Sequence, residues 1–338
     1  MIVGLAIILV FVLFLPFTIP YVERNLEVFL FIMGIASVVV SGVWNYELVL
    51  KALKDPIHIT LAVIFAGLIF NWVQKPFEKG IKRVSRILPF RLFLALIIII
   101  LGIVSSVITA IIAALVLVAI VTVLRLDRKS EVRFVILACY SIGMGAVLTP
   151  IGEPLSTIAT SKLNADFFYL LRLIGPEVIP GIITFGMLAT ILIHPTQKNR
   201  GLIVKQKKES IGDILTRGYK VYLFVMALTF LGAGFEPFIT RFLLVLHPYI
   251  LYWINMISAV LDNATLAAAE ISIEMNEKTV KSILLGLLIS GGMLIPGNIP
   301  NIIAAGKLNI KSVEWARFGV PIGLIAMVIY FIVIVIAG

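Results

Sequence analysis

One cysteine, Cys139, stands in 338 residues, so no internal disulfide can form. Histidine is scarce too. His58, His194 and His247 fall in no HExxH pattern, and no CxxC is present, which argues against a dedicated transition-metal centre. Charged residues make up only 14% of the chain, against about a quarter in an average soluble domain. Disorder, a disulfide scaffold, a collagen-like chain and a soluble enzyme are excluded on these grounds. What is abundant is apolar: 61% of residues are hydrophobic and the mean hydropathy is +1.12. A water-soluble fold of this size has no interior large enough for that surface, so the chain is read as an all-α polytopic membrane protein. The net charge of +10 is carried by loops between apolar runs, a pattern of membrane topology rather than of nucleic-acid binding.

Apolar runs cover 2–20, 27–44, 57–74, 92–124, 133–162, 174–194, 218–235, 238–273, 280–306 and 318–337. The first has no basic leader and no small-residue cleavage site, and reads as a retained span rather than a signal peptide. Most runs suit one crossing of about 20 residues. Two do not: 92–124 and 238–273 would be helices of roughly 50 Å, against a hydrocarbon core of about 30 Å. Each has a polar interruption, Ser105, Ser106 and Thr109 in one, Ser258, Asp262 and Asn263 in the other. Two short legs around a polar tip make a re-entrant hairpin. Loop charge favours this reading. The basic loops 75–91, 125–133, 195–217 and 307–317 all fall on the cytoplasmic side of a cell membrane if 92–124 returns to its side of entry. Trp44, Trp72, Trp253 and Trp315 fall mostly near span ends, as interfacial anchors do, and Glu177 is placed there as well.

The two halves look alike. SSVITAIIAAL (105–115) and TPIGEPLSTIATSKL (149–163) stand beside SAVLDNATLAAAE (258–270) and LIPGNIPNIIAAGKL (294–308). Aligning Gly152 with Gly297 also aligns Lys162 with Lys307. Each half crosses an odd number of times, so the repeats are expected to be inverted, with broken helices meeting near the midplane. The resulting division is two N-terminal helices (1–56), repeat 1 (57–194, hairpin 92–124, broken helix 133–162), a basic linker (195–217) and repeat 2 (218–338, hairpin 238–273, broken helix 280–306).

The candidate residues follow from that plan. Asp262 at a hairpin tip is a carboxylate at membrane depth, suited to holding a cation or a proton or to capping the returning leg. Na⁺ takes hard oxygen ligands. Asn263, Thr265 and Ser258 supply them beside Asp262, and Ser105 and Thr109 occupy the other tip. Glu153 lies in the first break, with Thr149, Ser156 and Thr157 as further oxygens, and is equally suited to capping a helix. Asn298 and Asn301 lie in the second break. Glu270, eight residues beyond Asp262, is a candidate second acid in a proton path or a residue of the hairpin mouth.

At these residues the sequence resembles the ion transporter superfamily. SAVLDNATLAAAE looks like the Asp-Asn motif of D-type Na⁺/H⁺ antiporters, and TPIGEPLST resembles both their PIGD stretch and the TPIGTPPN stretch of divalent-anion:sodium symporters. A prokaryotic family described as cation transporters is the nearest relative suggested. The resemblance implies a homodimer with elevator-like movement, and an ion site that includes Asp262, Asn263 and Glu153. Thr109–Ala110 departs from the second Asp-Asn of the antiporters.

The expected function is secondary transport, Na⁺ exchanged for H⁺, with Asp262 and Glu153 binding each in turn and no resident cofactor. The expected partners are the lipid bilayer, monovalent cations and protons. The alternative is a Na⁺-coupled symporter of a small anion. A passive channel and an intramembrane protease fit less well, since paired breaks suit alternating access and Asp262 has no second Asp partner.

Overall fold

The computed structural model describes residues 1–57, 60–61, 64–65, 68, 88–124, 126–193, 211–242, 246–261, 263–271 and 275–337. Asp262, most of the run 57–74 and most of the loops 75–91 and 195–217 lie outside the described residues. So does the side chain of Thr265.

The described residues form helices and no strand. In chain order the helices are α1 (Ile2–Thr18), α2 (Pro20–Arg24), α3 (Leu26–Ser41), α4 (helical over 46–57), α5 (Phe90–Ile108) and α6 (Ala110–Leu124). Then come α7 (Arg128–Ala146), α8 (Pro154–Lys162), α9 (Tyr169–Leu192), α10 (Ile211–Phe242), α11 (Pro248–Ile254), α12 (Asn263–Glu270), α13 (Glu277–Gly291), α14 (Ile299–Leu308) and α15 (Ser312–Ala337). Among the described residues, four segments are long and apolar enough to cross a membrane: Phe90–Ile108, Tyr169–Leu192, Ile214–Phe238 and Ser312–Ile336. The chain is therefore a polytopic helical membrane protein.

Small residues set the closest helix contacts, as expected where lipid removes any hydrophobic drive between helices. A Cβ built on Gly145 of α7 would lie 1.7 Å from the Gly102 carbonyl oxygen of α5. Ser141 Oγ donates to the Ile98 carbonyl across the same seam, at 2.9 Å. α3 lies along α10 in the same way. Ser37 Oγ donates to the Phe230 carbonyl at 3.3 Å, and a Cβ on Gly34 would meet the Ala227 carbonyl at 2.8 Å. The pair is tied by Lys220 Nζ to Glu27 Oε1, 2.8 Å apart.

The helices of the two chain halves interleave. α8 packs on α12, and α14 packs on α6 and touches α7. At one end Arg128, in the first turn of α7, uses all five of its N–H donors. Nε and Nη2 bind the Glu314 carboxylate (2.9 and 2.7 Å), Nη1 binds Glu131 (2.7 Å) and the Leu308 carbonyl (3.0 Å), and Nη2 also binds the Asn309 carbonyl (2.7 Å). The last turn of α14 is thus closed by an arginine from the other half, which is charge-matched to a helix C-terminus. Partial burial raises the Glu131 carboxyl above its ordinary value in spite of this partner.

Two boundaries and one side-chain placement differ from the sequence reading. α10 runs to Phe242, so residues 238–242 belong to it and the next leg begins only at Pro248. Apolarity is continuous through this region and Pro237 does not end the helix, so composition carried no stop signal. α9 starts at Tyr169, which puts Glu177 two turns inside a helix instead of at its end. Trp315 is fully buried rather than interfacial; its indole Nε1–H donates to the Gly292 carbonyl at 3.2 Å.

Candidate functional site

The first apolar run of double length is divided at Thr109. α5 ends at Ile108, α6 starts at Ala110, and Thr109 between them has φ 75° and ψ 149°. That conformation is costly for a residue with a Cβ and persists only where the surroundings enforce it. Here the first helix break enforces it. Ala110 N–H donates to the Gly152 carbonyl at 2.8 Å, and Thr149 Oγ1 donates to the Ser106 carbonyl. Backbone groups freed by one interruption are thus satisfied by the other, as apolar surroundings require. Thr109 Oγ1 accepts from Ile112 N–H at 3.4 Å.

Between α7 and α8 the chain folds back tightly: a Cβ on Gly152 would lie 1.9 Å from the Ala146 carbonyl. Glu153 then caps α8 with extended backbone (φ −157°, ψ 163°), and Pro154 follows at the first helical position, where a missing N–H costs nothing. Glu153 and Ser156 form a reciprocal capping box. Ser156 Oγ donates to the Glu153 carbonyl at 2.7 Å, and Thr157 Oγ1 donates to the Pro150 carbonyl at 2.6 Å. Thr149, Ser156 and Thr157 therefore brace the break through their hydroxyl protons. Glu153 is buried, with 7% exposed.

The second break is built alike. α13 ends at Gly291, and a Cβ on Gly297 would lie 2.6 Å from the Gly291 carbonyl. Asn298 caps α14 with φ −153° and ψ 144°, close to the values at Glu153, and Pro300 sits in the first turn. Asn301 Nδ2 donates to the Gly291 and Leu294 carbonyls at 2.8 and 2.9 Å. This fixes the amide and leaves its Oδ1 buried with no hydrogen-bond partner. Asn263 Nδ2 is buried without a partner as well, 3.7 Å from where a Gly291 Cβ would be; Ser258 Oγ is 3.5 Å from the same point. Ser258, Asn263 and Asn301 thus converge on Gly291. The break also reaches the first half. Asn298 Nδ2 lies 2.5 Å from the Cβ position of Gly143, and the Cys139 thiol lies 3.7 Å from the Pro300 carbonyl oxygen. The site has polar oxygens on short fixed stems, and among the described residues no group of three His, Cys, Asp or Glu side chains that would suit a transition metal.

The chain belongs to the DUF1646 family. The matching family model, described as a protein of unknown function, spans residues 2–337. Comparison with curated proteins gives no match.

Sequence reasoning missed two polar pairs. Glu177, with its side chain 9% exposed, binds Lys281 Nζ at 2.8 Å, joining α9 to α13. Asn255, fully buried at the start of the turn Asn255–Ala259, donates to Glu270 Oε2 at 2.9 Å. The only sequence signal for either was the rarity of polar side chains inside apolar runs. Ser105 and Ser258 were found in sequence, and both bind carbonyls of the broken helices: Ser105 Oγ that of Ile142 (2.9 Å), Ser258 Oγ that of Leu287 (3.2 Å).

Proposed function

We propose that the protein is a secondary active cation transporter of the cell membrane, exchanging Na⁺ for H⁺. In this reading it is built from two inverted repeats with re-entrant hairpins at 92–124 and 238–273 and broken helices at 133–162 and 280–306. The basic loops are cytoplasmic, the assembly is a homodimer and transport proceeds by an elevator-like movement.

The observation that carries the reading is the correspondence of the two breaks. The alignment that pairs Gly152 with Gly297 also pairs Ala146 with Gly291 and Glu153 with Asn298. Each break is folded by the same glycine-to-carbonyl approach and ends in an extended cap. The same alignment pairs Ile142 with Leu287, the acceptors of Ser105 and Ser258, which are themselves paired when Thr109 is set against Asp262. Paired helix breaks of this kind are where transporters bind ions, because irregular backbone offers carbonyls at membrane depth.

Asn301 Oδ1 and the amide of Asn263 are the neutral ligands of this site, and Asp262 and Glu153 its carboxylates. A carboxylate held away from water favours whichever cation is present, so Na⁺ and H⁺ compete for it. Exchange follows if the site opens to each side in turn. A second reading, Na⁺-coupled symport of a small anion, is favoured by one feature: the N-terminus of α14 is capped by neutral Asn298 rather than by an acid, and a helix N-terminus attracts anions.

Proton flux in proteoliposomes loaded with a pH dye tests the reading, on addition of Na⁺, Li⁺ or K⁺ with chloride or an impermeant anion. Cation-driven proton movement, lost in Asp262→Asn and Glu153→Gln, is expected. A folded protein that moves no protons with any cation refutes antiport. Na⁺ uptake that requires an anion establishes the symport reading instead.

A further inference from the structure

Away from the two breaks, at the far end of α12, lies a pair of polar side chains with no exposure at all. Glu270 is the last residue of α12, about 10 Å along the helix from its first residue, Asn263. Asn255 faces it from the turn that follows α11. Asn255 is held in place from both sides: Ser290 Oγ donates to its backbone carbonyl at 2.7 Å, and its own Nδ2 reaches Glu270 Oε2 at 2.9 Å and the Ile283 carbonyl at 3.5 Å. Two oxygens remain. Glu270 Oε1 and Asn255 Oδ1 are both buried and neither has a hydrogen-bond partner.

The described charges around the pair offer no compensation. No ion pair among the described residues includes Glu270. The helices packed against α12 are α8, α10 and α13. On α13, Lys281 is engaged by Glu177, Lys278 lies over the Tyr249 ring and Glu277 is exposed. On α10, Lys220 is engaged by Glu27, the Tyr222 hydroxyl donates to the Leu53 carbonyl, and Tyr219 and Glu236 are exposed. The side chains of Asp213, Arg217 and Arg241 lie outside the described residues. On α8, Lys162 is exposed and Glu153 caps the helix. Among the described residues, an ionised Glu270 would thus be a buried anion with one amide donor and no countercharge.

A single proton resolves the arrangement. Bound to Oε1, it neutralises the carboxylate and turns an acceptor into a donor, while Asn255 Oδ1 is an acceptor lacking one. The result is a reciprocal acid–amide pair: N–H to the acid's Oε2, O–H to the amide's Oδ1. We propose that Asn255 and Glu270 form a proton-binding site, separate from the two breaks, in which Glu270 is a neutral acid at neutral pH. The proton comes from water and returns to it, with no other bond made or broken. The inference stands whether or not the protein exchanges Na⁺ for H⁺.

Infrared spectroscopy of the full-length protein in lipid nanodiscs tests this without any transport assay. Protein carrying ¹³C-labelled glutamate is compared with unlabelled protein, so that glutamic-acid carbonyl bands are separated from those of aspartic acid. At neutral pH the wild type is expected to show a protonated Glu carbonyl band that disappears in Glu270→Gln and shifts in Asn255→Leu, where the acid loses its amide. Glu270→Gln keeps an acceptor for the Asn255 amide and a donor to its Oδ1 while adding one further N–H, so its melting temperature is expected to stay close to that of the wild type. A Glu270 seen only as carboxylate at neutral pH overturns the proposal. So does an acid band unchanged by both substitutions.

Discussion

Asn301 is the side chain whose loss the structure prices most directly. Its Nδ2 closes two carbonyls inside the second break, Gly291 at 2.8 Å and Leu294 at 2.9 Å. Asn301→Leu keeps the approximate shape and removes both donors. The Leu294 carbonyl keeps the Gly297 N–H, a longer bond of 3.4 Å, but Gly291 is the last residue of α13 and its carbonyl has no continuing helical turn to bind it. A buried group left unsatisfied costs about 1–3 kcal/mol, so the substitution should cost roughly 2–4 kcal/mol in total. Asn298→Leu is the matched control. Asn298 is as deeply placed, with 3% exposed, yet its side chain enters no hydrogen bond among the described residues, and its replacement should cost under about 1 kcal/mol. Thermal unfolding of both variants in detergent, followed by circular dichroism, makes the comparison. The reasoning is refuted if Asn301→Leu melts with the wild type, or if Asn298→Leu is the less stable of the two.

Glycine substitutions should divide in the same assay. Gly145→Ala puts a methyl group 1.7 Å from the Gly102 carbonyl oxygen, backbone against backbone, and forces α5 from α7 at a cost of about 3 kcal/mol or more. Gly306→Ala on α14 meets nothing within 4 Å and should be neutral or stabilising by up to about 1 kcal/mol. Equal melting temperatures for the two would contradict the packing described. Arg128→Ala should cost about 1–2 kcal/mol, a figure reduced because the side chain is 43% exposed. Arg128→Lys should recover only part of that, since an ammonium cannot span Glu131, Glu314 and two carbonyls at once; full recovery would reduce the clamp to simple charge.

Much of this architecture was legible in the sequence, for a physical reason: backbone that leaves the helix inside a membrane must be marked by residues that permit it. Ser105, Ser106 and Thr109 announced the interruption at 109, and PIGEP and IPGNIP the extended caps at Glu153 and Asn298. Polar and Gly/Pro residues are so rare in apolar runs that each is a local signal. What stayed hidden depends on partners distant in sequence. Arg128 reads as one more basic loop residue until α14 ends beside it. Asn255 reads as an incidental amide until Glu270 is brought against it, and Glu177 as a span end because α9 begins before its apolar stretch. The end of α10 was invisible because neighbouring residues on both sides of it are equally apolar. Asp262, central to the sequence argument, lies outside the described residues, and its role rests on the experiments above.

The interleaving of α8 with α12 and of α14 with α6 has a consequence for synthesis. Neither half owns the surfaces that cover it. As the ribosome finishes α6, the helix that will lie along it is still untranslated; α14 begins only at Ile299. At 5–20 residues per second that is a wait of roughly 10–35 s. During it the nascent first half must sit in the bilayer with the Ala110–Leu124 helix flanked by lipid or by a chaperone. A ribosome stalled between the halves would leave a chain that is inserted but unable to finish folding, and quality control in the membrane would meet that species whenever translation falters.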